Sequence, residues 1–212
     1  MKLNEKEALR YLGFRGKPAD ADTDEMIREI GGEMLRTLTP KCVYKKYDIK
    51  VLENAVELDG WRIESIKLSR HLRGCKAAYL FAATLGLQAD MMIRRLSALN
   101  MARGTVAHSV ANALIEDYCD EMQAQIAEKE AATGLFLKPR YSPGYGDFAL
   151  RSQKEIFARL ECAKRIGLTL TDTMLMVPFK SVTAVIGVTD TPTCTYVKCR
   201  GCANTDCEFR EI

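Results

Sequence analysis

The segment Lys138-Pro-Arg-Tyr-Ser-Pro-Gly-Tyr-Gly-Asp147 restricts the fold and the binding chemistry of this chain more than any other. It holds two prolines and two glycines between two stretches with helical periodicity. Proline fixes φ and glycine permits positive φ, so the segment is predicted to form a loop of defined shape. Such a loop could present Arg140, Tyr141 and Tyr145 to a polar small molecule with a carboxylate and an aromatic ring. The alternative is a rigid connector whose tyrosine rings cover an edge of the core.

The pattern on either side of this loop predicts a single α+β domain. The run Ala-Ala-Tyr-Leu-Phe-Ala-Ala-Thr at 77–84 is typical of a buried strand, and 42–58 reads as one or two strands before an Asp-Gly turn. Helices are predicted over about 22–38, 87–98 and 103–130. We therefore expect a curved, mainly antiparallel sheet with packed helices over 1–190, followed by a cysteine-rich tail at 191–212.

The region after the loop predicts a helix, a hairpin and a strand. Ser152 and Glu155 have the spacing of a capping box, and Gly167 is a plausible helix end. The β-branched run 182–188 favours a strand. We expect it to pair with 173–177 through a hairpin at 177–181.

Composition excludes several classes of protein. A net charge of +3 over 212 residues is too mild for a dedicated nucleic-acid binder. No apolar run approaches 18 residues, and the N-terminus lacks an apolar signal core, so we expect a cytoplasmic protein with no membrane partner. In that setting the eight cysteines indicate thiols or metal ligation before disulfides.

Four of the cysteines crowd the tail with the spacing Cys194-x4-Cys199-x2-Cys202-x4-Cys207. A Cys-x-x-Cys pair can face one ion, and two flanking thiolates complete a tetrahedral set. The spacing suits either Zn²⁺ or an iron–sulfur cluster. The alternative is a tail of free thiols.

Three motifs in order resemble the activation (reactivation) domain of cobalamin-dependent methionine synthase. Arg140-x-x-Pro-Gly-Tyr145 resembles that family's R-x-x-x-G-Y-P, and Gly167-Leu-Thr-Leu-Thr-Asp172 resembles G-x-x-L-T-E. Met174-Leu-Met-Val-Pro-Phe-Lys-Ser-Val-Thr183 resembles A-M-W-P-G-A-S-V-S, with matches at Met176, Pro178, Ser181 and Val182. The resemblance covers about residues 100–187. The chain departs from it at Gly146, where the family has proline, and in its tail, since the family's domain has no such cysteine cluster.

The resemblance implies a binding site for S-adenosylmethionine. Arg140 would pair with the ligand carboxylate, Ser142 and Gly144 would bind it through their backbone, and Tyr145 would pack against it. On the preceding long helix the family carries A-E-A, and its glutamate faces the ligand. This chain reads Ala111-Asn112-Ala113, so Asn112 would take that place as a neutral hydrogen-bonding group.

The resemblance also implies a function and partners. The chain would be a stand-alone reactivation partner of a cobalamin-dependent methionine synthase that lacks its own activation domain, and a flavodoxin or ferredoxin would be the reductant. Inactive cob(II)alamin, carried by the synthase, would be reduced and methylated from S-adenosylmethionine. The hairpin residues expected to contact the cobalamin are Met176, Val177, Pro178 and Ser181.

Two other functions remain open at the level of sequence. The chain could be an iron–sulfur or zinc protein in another corrinoid pathway, for example an electron donor. It could also be a binding module whose cysteine tail docks a partner. The sequence holds neither a phosphate-binding glycine loop nor a convincing nucleophilic triad.

Overall fold

Residues 1–14 and 17–191 are described by a computed structural model. Their strands are β1 (Lys41–Val51), β2 (Ala55–Leu58), β3 (Trp61–Glu64), β4 (Ala77–Thr84), β5 (Phe136–Leu137), β6 (Thr169–Leu170), β7 (Met176–Val177) and β8 (Ser181–Thr189). Their helices are α1 (Glu5–Tyr11), α2 (Ala21–Thr37), α3 (Ile66–His71), α4 (Leu87–Leu99), α5 (Met101–Ala131), α6 (Gln153–Leu160) and α7 (Cys162–Ile166). The predicted α+β class with an antiparallel sheet is confirmed.

Strand β4 organises the main sheet, whose strand order is β3-β2-β1-β4-β8-β5. All eight of its residues are buried, as the apolar run predicted. It pairs antiparallel with β1 on one side and with β8 on the other, where Leu80 lies opposite Val185 and Thr84 opposite Ser181. Successive side chains of a strand point to opposite faces, so β4 contributes to both layers of the core.

Helices α1, α2, α4 and α5 cover one face of the sheet. Phe81 of β4 lies in this first core layer with Ile30 of α2, Ile93 of α4 and Leu114 of α5. Helix α5 is 31 residues long, and Asn100 caps it by accepting hydrogen bonds from the backbone N–H groups of Ala102 and Arg103. One side of α5 therefore faces the sheet along much of its length.

Helices α3, α6 and α7 cover the other face. Leu80 of β4 lies in this second core layer with Leu68 of α3, Ile156 of α6 and Phe148. Helix α6 is followed directly by α7, because Glu161 takes a left-handed conformation with φ 51°. Helix α7 ends at Gly167, with φ 67°, as predicted.

Two local predictions after the loop are wrong. Ser152 makes no capping hydrogen bond, because it closes a 3₁₀ turn at Leu150–Ser152 and already has helical dihedrals. The strand β7 does not pair with β8 but with β6, in a separate two-stranded sheet. Both edges of β8 are occupied, by β4 on one side and by β5 and Tyr141 on the other, so a hairpin partner has no place there.

Among residues 1–14 and 17–191, no helix combines the length and the apolar character needed to cross a bilayer. The predicted tail lies outside these residues from position 192 onward. The predicted division into 1–190 and 191–212 therefore stays a prediction.

The crossing of α4 and α5 gives a stability prediction. A Cβ added to Gly104 would lie 2.7 Å from the backbone Cα of Ser97, which cannot move aside. Gly104→Ala should therefore lower the free energy of unfolding by about 1–3 kcal/mol in urea titrations. Gly32→Ala in α2 is the matched control, since its Cβ meets only the side chain of Arg36 at 3.4 Å; it should raise that free energy by roughly 0.5–1 kcal/mol. Equal effects of the two changes would contradict the close crossing.

Candidate functional site

The loop at 138–147 is fastened to β8 on the edge opposite β4, next to the pairing with β5. The backbone N–H of Lys138 donates to the carbonyl of Gly187 at 2.8 Å, and Tyr141 and Val185 exchange two backbone hydrogen bonds at 2.9 Å. The ammonium of Lys138 donates to the carbonyls of His71 and Arg73, at the end of α3. The loop is thus an extension of the sheet, and its successive side chains turn to opposite faces.

Arg140 reaches the α5 side of the sheet. Its guanidinium donates to Glu116 at 3.0 Å and Gln123 at 3.0 Å and pairs with Asp120 at 2.6 Å, while its side chain is only 9% exposed. The sequence pattern does not predict this arrangement, because Glu116 and Asp120 lie in a run of charged residues that is typical of a solvated helix face. A ligand carboxylate would have to share the guanidinium of Arg140 with these two carboxylates.

Tyr141 turns to the opposite side. Its ring lies 5.0 Å from the ring of His71, and 6.3 Å from the rings of Phe148 and Tyr145. The Nε2 of His71 lies 2.9 Å from the carbonyl oxygen of Pro139, and burial lowers the pKa of this imidazole. His71 therefore packs between α3 and the loop. Part of the alternative interpretation of the loop holds, because Tyr141 does cover the second core layer.

The tip of the loop has the defined shape that its prolines and glycines predicted. Gly144 and Gly146 have φ values of 98° and 60°, and the N–H of Gly144 donates to the carbonyl of Phe148 at 2.7 Å. The N–H of Tyr145 donates to the carbonyl of Ser142, and the side chain of Tyr145 is 64% exposed. Proline cannot adopt φ 60°, so the departure from the family motif at Gly146 goes with a different local backbone.

Asp147 closes the loop against the start of α3. Its carboxylate accepts from the hydroxyl of Ser65 and from the backbone N–H groups of Ile66 and Lys67. The hydroxyl of Ser65, with these N–H groups, holds the pKa of Asp147 below its usual range. The loop is therefore held at both ends and on both faces of the sheet.

Asn112 lies one helical turn before Glu116 on α5, and it meets the segment that precedes β8. The ammonium of Lys180 donates to the Oδ1 of Asn112 at 2.7 Å, and Lys180 is only 5% exposed. The hairpin predicted at 177–181 would have left Lys180 at an exposed turn, and the structure buries it instead. Its carbonyl accepts from the N–H of Leu85 at 2.9 Å, so the residue is drawn in beside the end of β4.

The residues predicted to contact cobalamin lie in the connection between β7 and β8. Met176 packs against the second core layer and Pro178 is buried. The Ser181 hydroxyl donates to the carbonyl of Pro178 at 2.7 Å and lies 2.8 Å from the hydroxyl of Thr84. Val177 is exposed, as is its neighbour Phe179 at 53%. The backbone N–H of Phe179 donates to the carboxylate of Asp90 on α4, so this connection lies against the first half of α4.

Exposed apolar side chains lie on both segments that meet at this contact, and we call this set the apolar edge. It consists of Val177 and Phe179 together with Leu87 and Met91, which flank Asp90 on α4. Leu87 and Met91 are four residues apart, so they share one helical face. Two of these four residues lie outside the motifs that the sequence singled out.

Other features of the described residues give no competing site. A shallow groove of about 430 Å³ lies elsewhere, between α6, α7 and β6, and none of the predicted ligand residues lines it. In the described part of the chain no group of three or more His, Cys, Asp or Glu is placed to hold a metal ion. The predicted ligands Cys194, Cys199, Cys202 and Cys207 lie outside the described residues.

Comparisons with known proteins agree with this fold. Residues 75–208 match the family described as the activation domain of vitamin B12 dependent methionine synthase, so the chain belongs to this family. The assignment made from three motifs is thereby confirmed. The fold is similar to a crystal structure of the MetH reactivation domain bound to AdoHcy, with a TM-score of 0.60 and 18% identity over 90% of this chain and 68% of that one. No curated protein matches the chain.

The attachment of the loop to α3 should depend on pH. The folded pKa of Asp147 is lowered relative to about 3.9 in an unfolded chain, so its stabilisation is present above that value and is lost as pH falls through the folded pKa. Asp147→Asn should therefore lower the midpoint of urea unfolding at pH 7, and the difference from the wild type should shrink at pH 3. A difference of the same size at both pH values would contradict a charged cap.

Proposed function

We propose that this chain reactivates a cobalamin-dependent methionine synthase by binding S-adenosylmethionine and presenting it to the cobalamin of that enzyme. The observation that carries the proposal is the family match, because it includes both the loop at 138–147 and the β7–β8 connection. Contacts to α5 bring these two segments to one face, where Arg140 meets Glu116 and Lys180 meets Asn112. The AdoHcy bound to the structural relative supports a ligand of this chemical class.

The proposed ligand site is bordered by Arg140, Ser142, Gly144, Tyr145 and Asn112. The fixed tip of the loop offers backbone groups and the exposed ring of Tyr145, and Asn112 offers a neutral amide from α5. The backbone need not become ordered when a ligand arrives, because the loop is already fastened.

The proposed contact with the partner's cobalamin is the apolar edge. A flat macrocycle packs against a rigid surface, and the hydrogen bonds of Asp90 and Ser181 hold the apolar edge in place. Exposure divides the four predicted contact residues into two kinds. Val177 would touch the corrin with Phe179, while Met176, Pro178 and Ser181 would hold the connection in place. Cobalamin and an external reductant, for which we propose a flavodoxin or ferredoxin, would supply the redox chemistry. This chain would hold S-adenosylmethionine in position against the cobalamin.

A reactivation assay tests this function. The chain is mixed with a synthase in the cob(II)alamin state that lacks its activation domain, together with a reductant and S-adenosylmethionine, and the return of methyl transfer is measured. Val177→Asp should slow reactivation at least tenfold, because it places a charge against an apolar surface, while binding of S-adenosylmethionine in calorimetry stays within about twofold of the wild type. Val177 is a sharper site than Met176, whose replacement would also disturb the core, and than Phe179, whose ring adjoins the ammonium of Lys180.

The matched control is Leu99→Asp at the far end of α4, where the side chain is 75% exposed. It adds the same negative charge to another exposed apolar position, about 18 Å along α4 from Leu87. This variant should reactivate the synthase as well as the wild type does. Full activity of Val177→Asp, or equal losses in both variants, would rule out the apolar edge as the contact. Failure of the wild type to reactivate any such synthase would overturn the proposed function.

We also propose that the four tail cysteines bind one metal centre, either Zn²⁺ or an iron–sulfur cluster. Protein purified without oxygen should contain about one equivalent of zinc, or iron with a broad absorption band near 400 nm for a cluster. Cys199→Ser should lower that content severalfold, whereas Cys162→Ser, at a buried thiol of the core, should leave it unchanged. Less than a tenth of an equivalent of both metals would exclude the site. An iron cluster with no binding of S-adenosylmethionine would favour the alternative function as an electron donor.

A further inference from the structure

Lys180 is a buried cation whose charge is not matched by a contacting carboxylate. Within the described residues, its ammonium has one hydrogen-bond partner, the neutral amide of Asn112, and it lies 5.1 Å from the ring centroid of Phe179. Asp90 is the nearest acidic influence, but its Oδ2 accepts the backbone N–H of Phe179 and makes no ion pair with Lys180. This differs from Lys46, a half-exposed lysine that pairs with the buried Glu130 at 2.6 Å.

A buried ammonium without a counter-ion is costly, since the interior replaces little of the hydration that it loses. Such a group either gives up its proton or binds an anion. Burial does lower the pKa of Lys180, while Asp90 opposes that shift. His108, which faces the same place from α5, brings no negative charge, and its own pKa is lowered by burial and by Lys180. The groups that face Lys180 from α4, α5 and the β7–β8 connection therefore do not balance its charge, and one further negative charge would do so.

Arg140, unlike Lys180, is already paired with carboxylates. Its guanidinium already contacts two carboxylates, Glu116 and Asp120, and the amide of Gln123. An incoming carboxylate would compete there with bonds that are already formed. Asn112 lies one helical turn from Glu116 along α5. There an incoming carboxylate would meet Lys180, a cation that contacts no carboxylate among the described residues. Lys180 and Asn112 also both depart from the family patterns, which carry alanine and glutamate at these places.

We propose that Lys180 and Asn112 form the subsite for the carboxylate of the amino acid part of S-adenosylmethionine, and that Arg140 instead fixes the loop to α5. This rests on the proposed function, because it assumes that the ligand binds between the loop and the β7–β8 connection. The ammonium of Lys180 has three N–H groups, so it can keep Asn112 as a partner and donate to a ligand oxygen as well. Binding would then supply the missing negative charge.

Decarboxylated S-adenosylmethionine is the probe, since it lacks only the group in question. Calorimetry on the intact chain should show that the wild type binds S-adenosylmethionine about 10- to 100-fold more tightly than the decarboxylated compound, the range expected for one charged hydrogen bond. Lys180→Met should reduce this preference to within about twofold and leave the affinity for the decarboxylated compound equal or higher. Arg140→Gln should keep the preference.

The outcomes separate the two ideas. If the wild type binds neither compound, both the proposed function and this subsite are overturned. If the wild type binds S-adenosylmethionine and Lys180→Met keeps the preference, or Arg140→Gln alone abolishes it, the subsite is wrong and the proposed function stands. Loss of all binding in Lys180→Met, for both compounds equally, would show a merely structural role and also overturn the subsite. Thermal unfolding checks that the variant folds, and Lys180→Gln serves as the second variant if it does not.

Discussion

The register between β4 and β8 fixes the relative positions of the residues at the candidate site. Ser181 lies opposite Thr84, so Lys180 falls just beyond the end of the paired strands, where it meets α5. Four residues later, Val185 holds the loop through its two hydrogen bonds with Tyr141. A shift of one residue would turn every side chain of β8 to the other face of the sheet, and it would carry both segments away from their partners on α5. All eight residues of β4 are buried and divide between the two core layers, so such a shift would exchange the side chains that pack in each layer.

Helix α5 supplies the common reference for these two segments. Asn112, Glu116, Asp120 and Gln123 recur every three or four residues and so form one stripe along it. Lys180 contacts one end of the stripe and Arg140 contacts the remainder. The helix therefore positions two segments that are forty residues apart in sequence. It offers two carboxylates to Arg140 but only a neutral amide to Lys180.

Those parts of the structure that depend on local chemistry were predictable from sequence. The limits of β4 follow from its apolar run, and the end of α7 follows from Gly167. The shape of the loop follows from Gly144 and Gly146. The partner of β8 was not predictable in this way, because it depends on which edges the rest of the sheet leaves open. The burial of Lys180 and the pairing of Arg140 could not be predicted either, because they also depend on tertiary contacts. In sequence, a lysine near a turn and acidic residues on a helix both indicate exposure to solvent.

The double attachment of the loop at 138–147 has a thermodynamic consequence. Tyr141 and Asp147 hold it on one side of the sheet and Arg140 holds it on the other. The conformational entropy of this segment is thus given up when the chain folds rather than when a small molecule arrives. A ligand that meets such a surface should bind with a small entropy penalty and with little change in the amide hydrogen exchange of the loop. Its selectivity would then come from the complementarity of a shape that exists beforehand.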